Sequence, residues 1–275
     1  MTTSTDPSAS GALPGATLDA SRMPGHWLLA RLGKRVLRPG GVELTHKLLD
    51  AVNLTGTDNL IEIAPGLGAT TRLLLDKQPA SYTGVDRDPA ATSLVEAMLD
   101  GPNRQILQAS ASETGLEDNS ADVVFGEAYL TMHPDSLKQR TIAELSRVLR
   151  PGGRFALHEV AFAPDDIDNP SAVKAAEALK SSIKVNVTPM TVQGWSTLLS
   201  DHGLRVEHTF TLPLHLLEPQ RIISDEGYLG AAKFVANVAR DSQARSRVMA
   251  MRQAMRANEA HLQAIGLVAT KLENQ

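Results

Sequence analysis

Residues 60–71 read Leu-Ile-Glu-Ile-Ala-Pro-Gly-Leu-Gly-Ala-Thr-Thr, a short apolar strand that breaks into a glycine loop and runs into a helix. The branched Ile61 and Ile63 suit a buried strand, and Pro65 cannot extend it. Gly66 and Gly68 admit backbone geometry and close ligand approach that larger residues block. The helix expected over about 69–76 then points its free N-terminal amides at whatever the loop holds.

A glycine turn of this kind serves two cofactor classes, and its neighbours discriminate between them. A dinucleotide fingerprint, G-x-G-x-x-G, sets a pyrophosphate on the helix N-terminus. Here the pattern is Glu62-x-Ala64-x-Gly66-x-Gly68, with an acidic residue inside the strand end and threonine, not glycine, at position 71. A carboxylate beside the loop repels a pyrophosphate but accepts hydrogen bonds from an ammonium group. That favours a zwitterionic ligand such as S-adenosylmethionine over NAD or NADP. A second acidic anchor, Asp86, ends Tyr-Thr-Gly-Val-Asp at 82–86, eighteen residues after Gly68. A carboxylate there can take both ribose hydroxyls. Its competing role is a helix N-cap, which Asp88, just before Pro89, fits better.

On these residues the chain resembles the class I S-adenosylmethionine-dependent methyltransferases, in particular the small-molecule type close to ubiquinone and menaquinone biosynthesis enzymes. Segments 62–68, 84–86, 109–124 and 142–154 carry the resemblance. The last, Ile-Ala-Glu-Leu-Ser-Arg-Val-Leu-Arg-Pro-Gly-Gly-Arg, is the most specific. Ala64 stands where the family usually has glycine, a mild departure, and Ser110 where it often has an aspartate facing the adenine. The resemblance implies a cofactor site of Glu62, Ala64, Pro65, Gly66, Gly68, Asp86, Arg87, Ser110, Ala111 and Glu127, with S-adenosylhomocysteine as product. It also implies that the segment before the first strand folds over the cofactor, so that His26 and Trp27 join Tyr129 in the substrate pocket.

Outward from the loop, apolar strand patterns alternate with amphipathic helix patterns over 60–160, which predicts a parallel sheet with helices on both faces. Ligands in such sheets bind beyond the carboxyl ends of the strands, where Glu62, Asp86, Ser110 and Glu127 all fall. A further strand over 204–210 and a last one over 261–271 bring the count to seven. The resemblance makes the sheet Rossmann-like and doubly wound, with the last strand antiparallel. Helical additions are expected before the first strand and between the sixth and seventh. The organisation predicted is a flexible tail over 1–20 and one methyltransferase domain over 21–275. Within that domain lie a helical lid (23–57), a core (58–217), a helical insertion (218–258) and the last strand (261–271). Apolar positions Tyr228, Ala231, Val235 and Val238 repeat at helical spacing in the insertion. Leu-Arg-Pro-Gly-Gly occurs at 37–41 and 149–153, and each copy reads as a helix end.

Composition removes several chemistries. The absence of cysteine excludes thiolate metal sites, disulfides and a cysteine nucleophile. The eight histidines are scattered without metal-ligand spacing. A net charge of −4 argues against a general nucleic-acid binder. The stretch after the fourth strand also lacks the Asn/Asp-Pro-Pro-Tyr pattern of amino-methylating nucleic-acid enzymes. The basic run Arg31, Lys34, Arg35 and Arg38 reads as the solvated face of a helix whose other side is Leu28, Leu29, Leu32 and Val36. No apolar run approaches the roughly 20 residues that a bilayer span needs, and no export signal is visible, so cytoplasm is the default.

Methyl transfer from a sulfonium needs chiefly proximity and alignment, and a base only when the acceptor must lose a proton. His133, after the fourth strand, and His158, at the end of the fifth, are the candidate bases. The reading is methyl transfer to a small molecule, apolar or aromatic, by a chain that could pair as a homodimer. The alternatives are a non-catalytic cofactor-binding or oligomerisation protein of the same fold, an RNA methyltransferase and an NAD(P)-dependent oxidoreductase.

Overall fold

The structure, a computed structural model, describes residues 19–166 and 169–273. Of the tail expected over 1–20, only the last two residues fall within this range, and Ala20 is already buried. The backbone carbonyls of Ala20 and Met23 both accept from the Arg247 guanidinium.

Seven strands, β1 Asn59–Ile63, β2 Ser81–Asp86, β3 Arg104–Gln108, β4 Ala121–Glu127, β5 Leu149–Phe162, β6 Leu204–Pro213 and β7 Leu262–Lys271, form one sheet. Its order is β3-β2-β1-β4-β5-β7-β6. The first five are parallel, and β7 pairs antiparallel with both β5 and β6. This is the doubly wound, mostly parallel Rossmann-like sheet that the strand and helix alternation predicts. Side chains alternate across it with a period of two, as a pleat requires. Leu60, Val123 and Phe125 face one apolar layer with α2 Gly41–Val52, α3 Ala69–Leu75 and α4 Pro89–Glu96. Ile61, Ile63 and Val124 face the other layer, with α5 Asp135–Val148 and α7 Val192–Ser200.

Helix starts follow local chemistry. Asp88 accepts from the amides of Ala90 and Ala91 and caps α4, with Pro89 in its first turn; Thr191 caps α7 through the Gly194 amide. Asp86 is left free of that duty.

A third apolar cluster belongs to the additions: α1 Gly25–Arg31, α6 Pro170–Ile183, α8 Pro219–Arg240 and α9 Ser242–Ala257 pack around Val160, Phe162 and Leu262. They sit over the carboxyl end of β5, on the side of the sheet where a ligand binds.

The helical insertion over 218–258 consists of two helices, divided at Asp241, whose side chain caps α9. Three sequence expectations change here. Gly227, at φ 69° and ψ 171°, breaks the winding of α8, and in the turns that follow Ala231 and Phe234 face in, with Val238 packed beside them, while Tyr228 and Val235 of the expected stripe are exposed. The first Leu-Arg-Pro-Gly-Gly ends no helix: α1 stops at Arg31, and Gly40 and Gly41, both left-handed, instead open α2. The basic run is a solvated face only in part: Arg31 and Arg35 are exposed, but with α1 ending early residues 34–38 are no longer helical, and Lys34 and Arg38 turn inward. Lys34 is fully buried, its ammonium 2.9 Å from Asp225 and 3.3 Å from Glu226 at the α8 break. The same carboxylates accept the amides of Val42, Arg35 and Val36, which fastens the insertion to the segment entering α2.

Removing one member of a buried ion cluster leaves the rest uncompensated. Lys34→Ala is expected to lower stability by roughly 3–5 kcal/mol in urea unfolding. Loss of the more exposed Arg31–Asp241 pair in Arg31→Ala is expected to cost less than about 1 kcal/mol.

Candidate active site

A cavity of about 620 Å³ opens at the carboxyl ends of β1, β2 and β4. It is within the range of small-molecule sites. Its floor is the strand-loop-helix of residues 62–70. Beyond Ile63 the backbone alternates through left-handed conformations at Ala64 (φ 53°), Gly66 (φ 55°) and Gly68 (φ 70°), the last being the N-cap of α3. The substitution of alanine for glycine at 64 is therefore less mild than its size suggests, since a left-handed Ala costs roughly 1–2 kcal/mol. Ala128, at the matching end of β4, is left-handed too, at φ 55°. Strain of this kind clusters at ligand sites.

Two buried carboxylates meet at this floor in opposite electrostatic surroundings. Glu62 accepts from the hydroxyls of Thr71 and Tyr82, each at 2.7 Å. Burial pushes its carboxyl up to about 7, only partly offset by those bonds, with the nearby Glu127 charge adding to the rise. Glu127 accepts from Thr45 at 2.6 Å, from Thr70, from the Arg38 guanidinium at 3.0 Å and from His158 at 2.8 Å. Burial raises it as well, but Arg38 and His158 outweigh that and hold it down at about 2.

Asp86, at the end of β2, accepts from the amides of Gly66 at 3.1 Å and Asp88 at 3.0 Å, one on each oxygen. Its side chain lines the cavity. Burial raises its carboxyl against those two bonds. Arg87, Ser110 and Ala111 continue the lining on the β2–β3 side, and Pro65 closes the loop.

The candidate histidines separate. His133 lines the cavity, and burial, Arg87 and Lys138 lower it from the ordinary imidazole range, so it is neutral at pH 7. His26 also lines it, lowered by burial to about 4, with its ring 4.5 Å from that of Trp27. His158 does neither. It is fully buried outside the lining, with Nδ1 on Glu127 and Nε2 on the Pro39 carbonyl. With both nitrogens engaged it positions Glu127 and has no free lone pair with which to act as a base, which corrects the catalytic expectation.

Glu159, fully buried, accepts from the amides of Tyr129, Leu130 and Thr131 and from the Thr131 hydroxyl, so it shapes the loop that carries Tyr129 and His133. Sequence reasoning did not find Arg38, Thr45 or Thr70. Thr45 lies on a helix whose facing is invisible in sequence, and Arg38 was hidden inside a basic run. The far arm of the cavity is apolar, walled by Trp27 and Leu29, Leu179 and Ile183, and Met251 and Met255.

Comparison with known proteins agrees with this arrangement. The family described as "Methyltransferase domain" matches residues 61–157. A Haemophilus influenzae protein of uncharacterized function is 35% identical over 217 residues, 78% of this chain and 84% of the relative. The phthiotriol/phenolphthiotriol dimycocerosates methyltransferase of Mycobacterium leprae is 33% identical over 116 residues, and the match covers 42% of each chain. The chain thus spans less than half the length of that enzyme. Among solved structures, Haemonchus contortus phosphoethanolamine N-methyltransferase 2, in complex with phosphomonomethylethanolamine and S-adenosylhomocysteine, has a TM-score of 0.68 at 13% identity. The alignment covers 91% of this chain and 58% of that one. Geranyl diphosphate methyltransferase, in complex with geranyl diphosphate and sinefungin, has a TM-score of 0.61 at 15% identity, over 84% and 78% of the two chains.

The chain belongs to the class I S-adenosylmethionine-dependent methyltransferase family. It is an S-adenosylmethionine-dependent methyltransferase. The residues present fit that cofactor: an acidic floor beside a left-handed loop, a carboxylate lining the cavity at the end of β2, and a partnerless guanidinium arm at the β4 side. No helix among the described residues is long and apolar enough to cross a membrane, and these residues hold no cluster suited to a metal ion.

The Glu62 carboxyl lies above its unfolded value of 4.5, so the folded state binds more protons between pH 4.5 and 7 and loses stability as pH rises through that window. Glu62→Gln keeps the two accepted hydrogen bonds and removes the charge. It is expected to stabilise the ligand-free protein on the order of 2 kcal/mol at pH 8 and negligibly at pH 4, read by urea unfolding at both values.

Proposed function

We propose that the acceptor is a largely apolar small molecule held in the arm walled by α1, α6 and α9, with its reacting atom turned toward the acidic floor. The observation that carries this reading is the lining itself, which passes from charged residues at the strand ends to Trp27, Leu179, Ile183, Met251 and Met255. The mycobacterial relatives, whose names give phthiotriol lipids as acceptors, are in keeping with an apolar substrate.

In this reading Glu62 offers its free oxygen to the ammonium of the methionine end, Glu127 adds its negative charge nearby, and the 64–68 loop folds around the group. Asp86 takes the ribose hydroxyls, while Arg87, Ser110 and Ala111 flank the adenine. When bound, S-adenosylmethionine would supply a methyl group activated by the sulfonium, whose leaving group is a neutral thioether that needs no acid. The chain's own contribution is therefore alignment and exclusion of water, which can account for roughly 7–11 kcal/mol of barrier. His133, neutral and facing the cavity, is placed to take a proton from an acceptor hydroxyl. His26 and Trp27 form the lid edge, and Tyr129 lines the floor below. The exposed Tyr228 and Leu229 of α8 offer an apolar face for pairing of two copies in the cytoplasm.

Calorimetry with S-adenosylhomocysteine, and with NAD and NADP as controls, tests the cofactor assignment. Binding of the adenosyl ligand alone is expected, and Asp86→Ala is expected to weaken it by about 1.5–3 kcal/mol, the cost of losing charged hydrogen bonds. Unchanged affinity in that variant would remove Asp86 from the ribose. For the acceptor arm, turnover is measured with a panel of apolar alcohols and phenols. Trp27→Ala is expected to raise the acceptor KM about tenfold or more, as loss of a buried aromatic contact implies, and to leave S-adenosylhomocysteine affinity unchanged. A KM that stays constant would place the acceptor elsewhere.

A further inference from the structure

Four buried side-chain polar atoms among the described residues have no hydrogen-bond partner: Arg38 Nη2, Tyr129 Oη, Arg247 Nη2 and His261 Nδ1. Arg38 and Tyr129 line the same cavity. A buried donor left unpaired costs about 1–3 kcal/mol, and more when it is charged, so an orphan of this kind marks the place where a ligand atom completes the bond.

Arg38 is the better defined of the two. It is 6% exposed, and its guanidinium is fixed rather than mobile: Nε lies 2.7 Å from the Thr45 hydroxyl and 3.0 Å from Glu127. The next residue is fixed as well, since the Pro39 carbonyl accepts from His158. One edge of the fork is thus spent on holding the guanidinium in place, and the Nη2 arm is left with nothing to bind. A planar, immobilised guanidinium edge is matched by a carboxylate or a similar oxyanion.

The sheet order places this arm. Asp86 ends β2 and Glu127 ends β4, with β1 between them. At about 4.8 Å per strand spacing, the two carboxylates sit roughly 10 Å apart across the sheet. A ligand with its ribose at Asp86 therefore brings its amino-acid end to Glu62 and Glu127, beside Arg38. We infer that Arg38 binds the α-carboxylate of the cofactor's methionine end, while Glu62, whose two accepted bonds both fall on one oxygen, takes the ammonium with the other. The inference rests on the cofactor placement proposed above. It assigns a binding role to a residue that lies before the first strand, so the anion-binding arm of the site arrives with the segment that covers it. Alternation of charge, carboxylate, guanidinium and carboxylate again, lets a zwitterion enter without leaving any member unpaired.

The test compares two ligands that differ only in this group: S-adenosylhomocysteine and its decarboxylated analogue, which keeps the ammonium. Calorimetry on the wild-type protein is expected to show a preference of roughly ten- to a hundredfold for S-adenosylhomocysteine, the range that a charged hydrogen bond supplies. Arg38→Lys, which keeps a cation beside Glu127, and Arg38→Met are both made, with thermal unfolding to verify the fold. Each is expected to lose most of the preference, with affinity for the decarboxylated ligand changing less than about threefold. Equal binding of the two ligands by the wild type would overturn the inference, and that measurement needs no variant. An equal loss for both ligands in Arg38→Lys would also overturn it, making Arg38 a structural partner of Glu127. A preference that survives in both variants would overturn it too and turn the free arm toward the acceptor. If the wild type binds neither ligand, the cofactor placement itself fails, and the assignment of Arg38 falls with it.

Discussion

A carboxylate buried at the end of a strand has to be surrounded by donors, and Glu127 meets that requirement with four residues from four parts of the chain. Arg38 comes from the segment before the sheet, Thr45 from α2, Thr70 from α3 and His158 from the neighbouring β5. Each partner alone is worth a kcal/mol or so in net terms, but the unpartnered charge would cost several. The bond set therefore fixes where the N-terminal segment crosses the sheet and which way α2 faces. The glycine loop and the lid are held in one frame by this one group.

The neighbouring Glu62 shows the opposite balance. Two hydroxyls are its only hydrogen-bond donors, burial dominates, and its proton is held up to about neutral pH. Two carboxylates pushed apart in this way are the mark of a site built for a charged ligand rather than for stability. The left-handed alanines at 64 and 128, at the ends of adjacent strands, point in the same direction. A cation entering between the carboxylates would relieve the cost that the empty fold carries.

Around this floor stand the helical additions. α1, α6, α8 and α9 share an apolar cluster of their own and turn part of it toward the cavity. They are tied down by Lys34 with Asp225 and Glu226, and by Glu218 with Arg252 and Arg256. The fold alone supports many acceptors, so in the proposed function it is these walls, and not the sheet, that would select one.

The sequence by itself determined the alternating sheet, its carboxyl-end site, the glycine loop and the capping roles around Asp86 and Asp88, because these depend on contacts between residues near one another in the chain. It also carried the acidic anchor at 62 and the helical character of 219–258. Tertiary structure decided the rest. Lys34 and Arg38 read as solvated because their partners, Asp225 and Glu127, are about 190 and 90 residues away. His133 and His158 looked alike as strand-end histidines, and only packing separated a cavity-facing imidazole from one locked between Glu127 and Pro39. The break at Gly227, and the facing of the turns after it with Ala231 and Phe234 inward and Tyr228 and Val235 outward, were settled by what α8 packs against. Burial, charge pairing over long sequence separations and the facing of a helix after a break are properties of the assembled chain, and no local pattern of residue types encodes them.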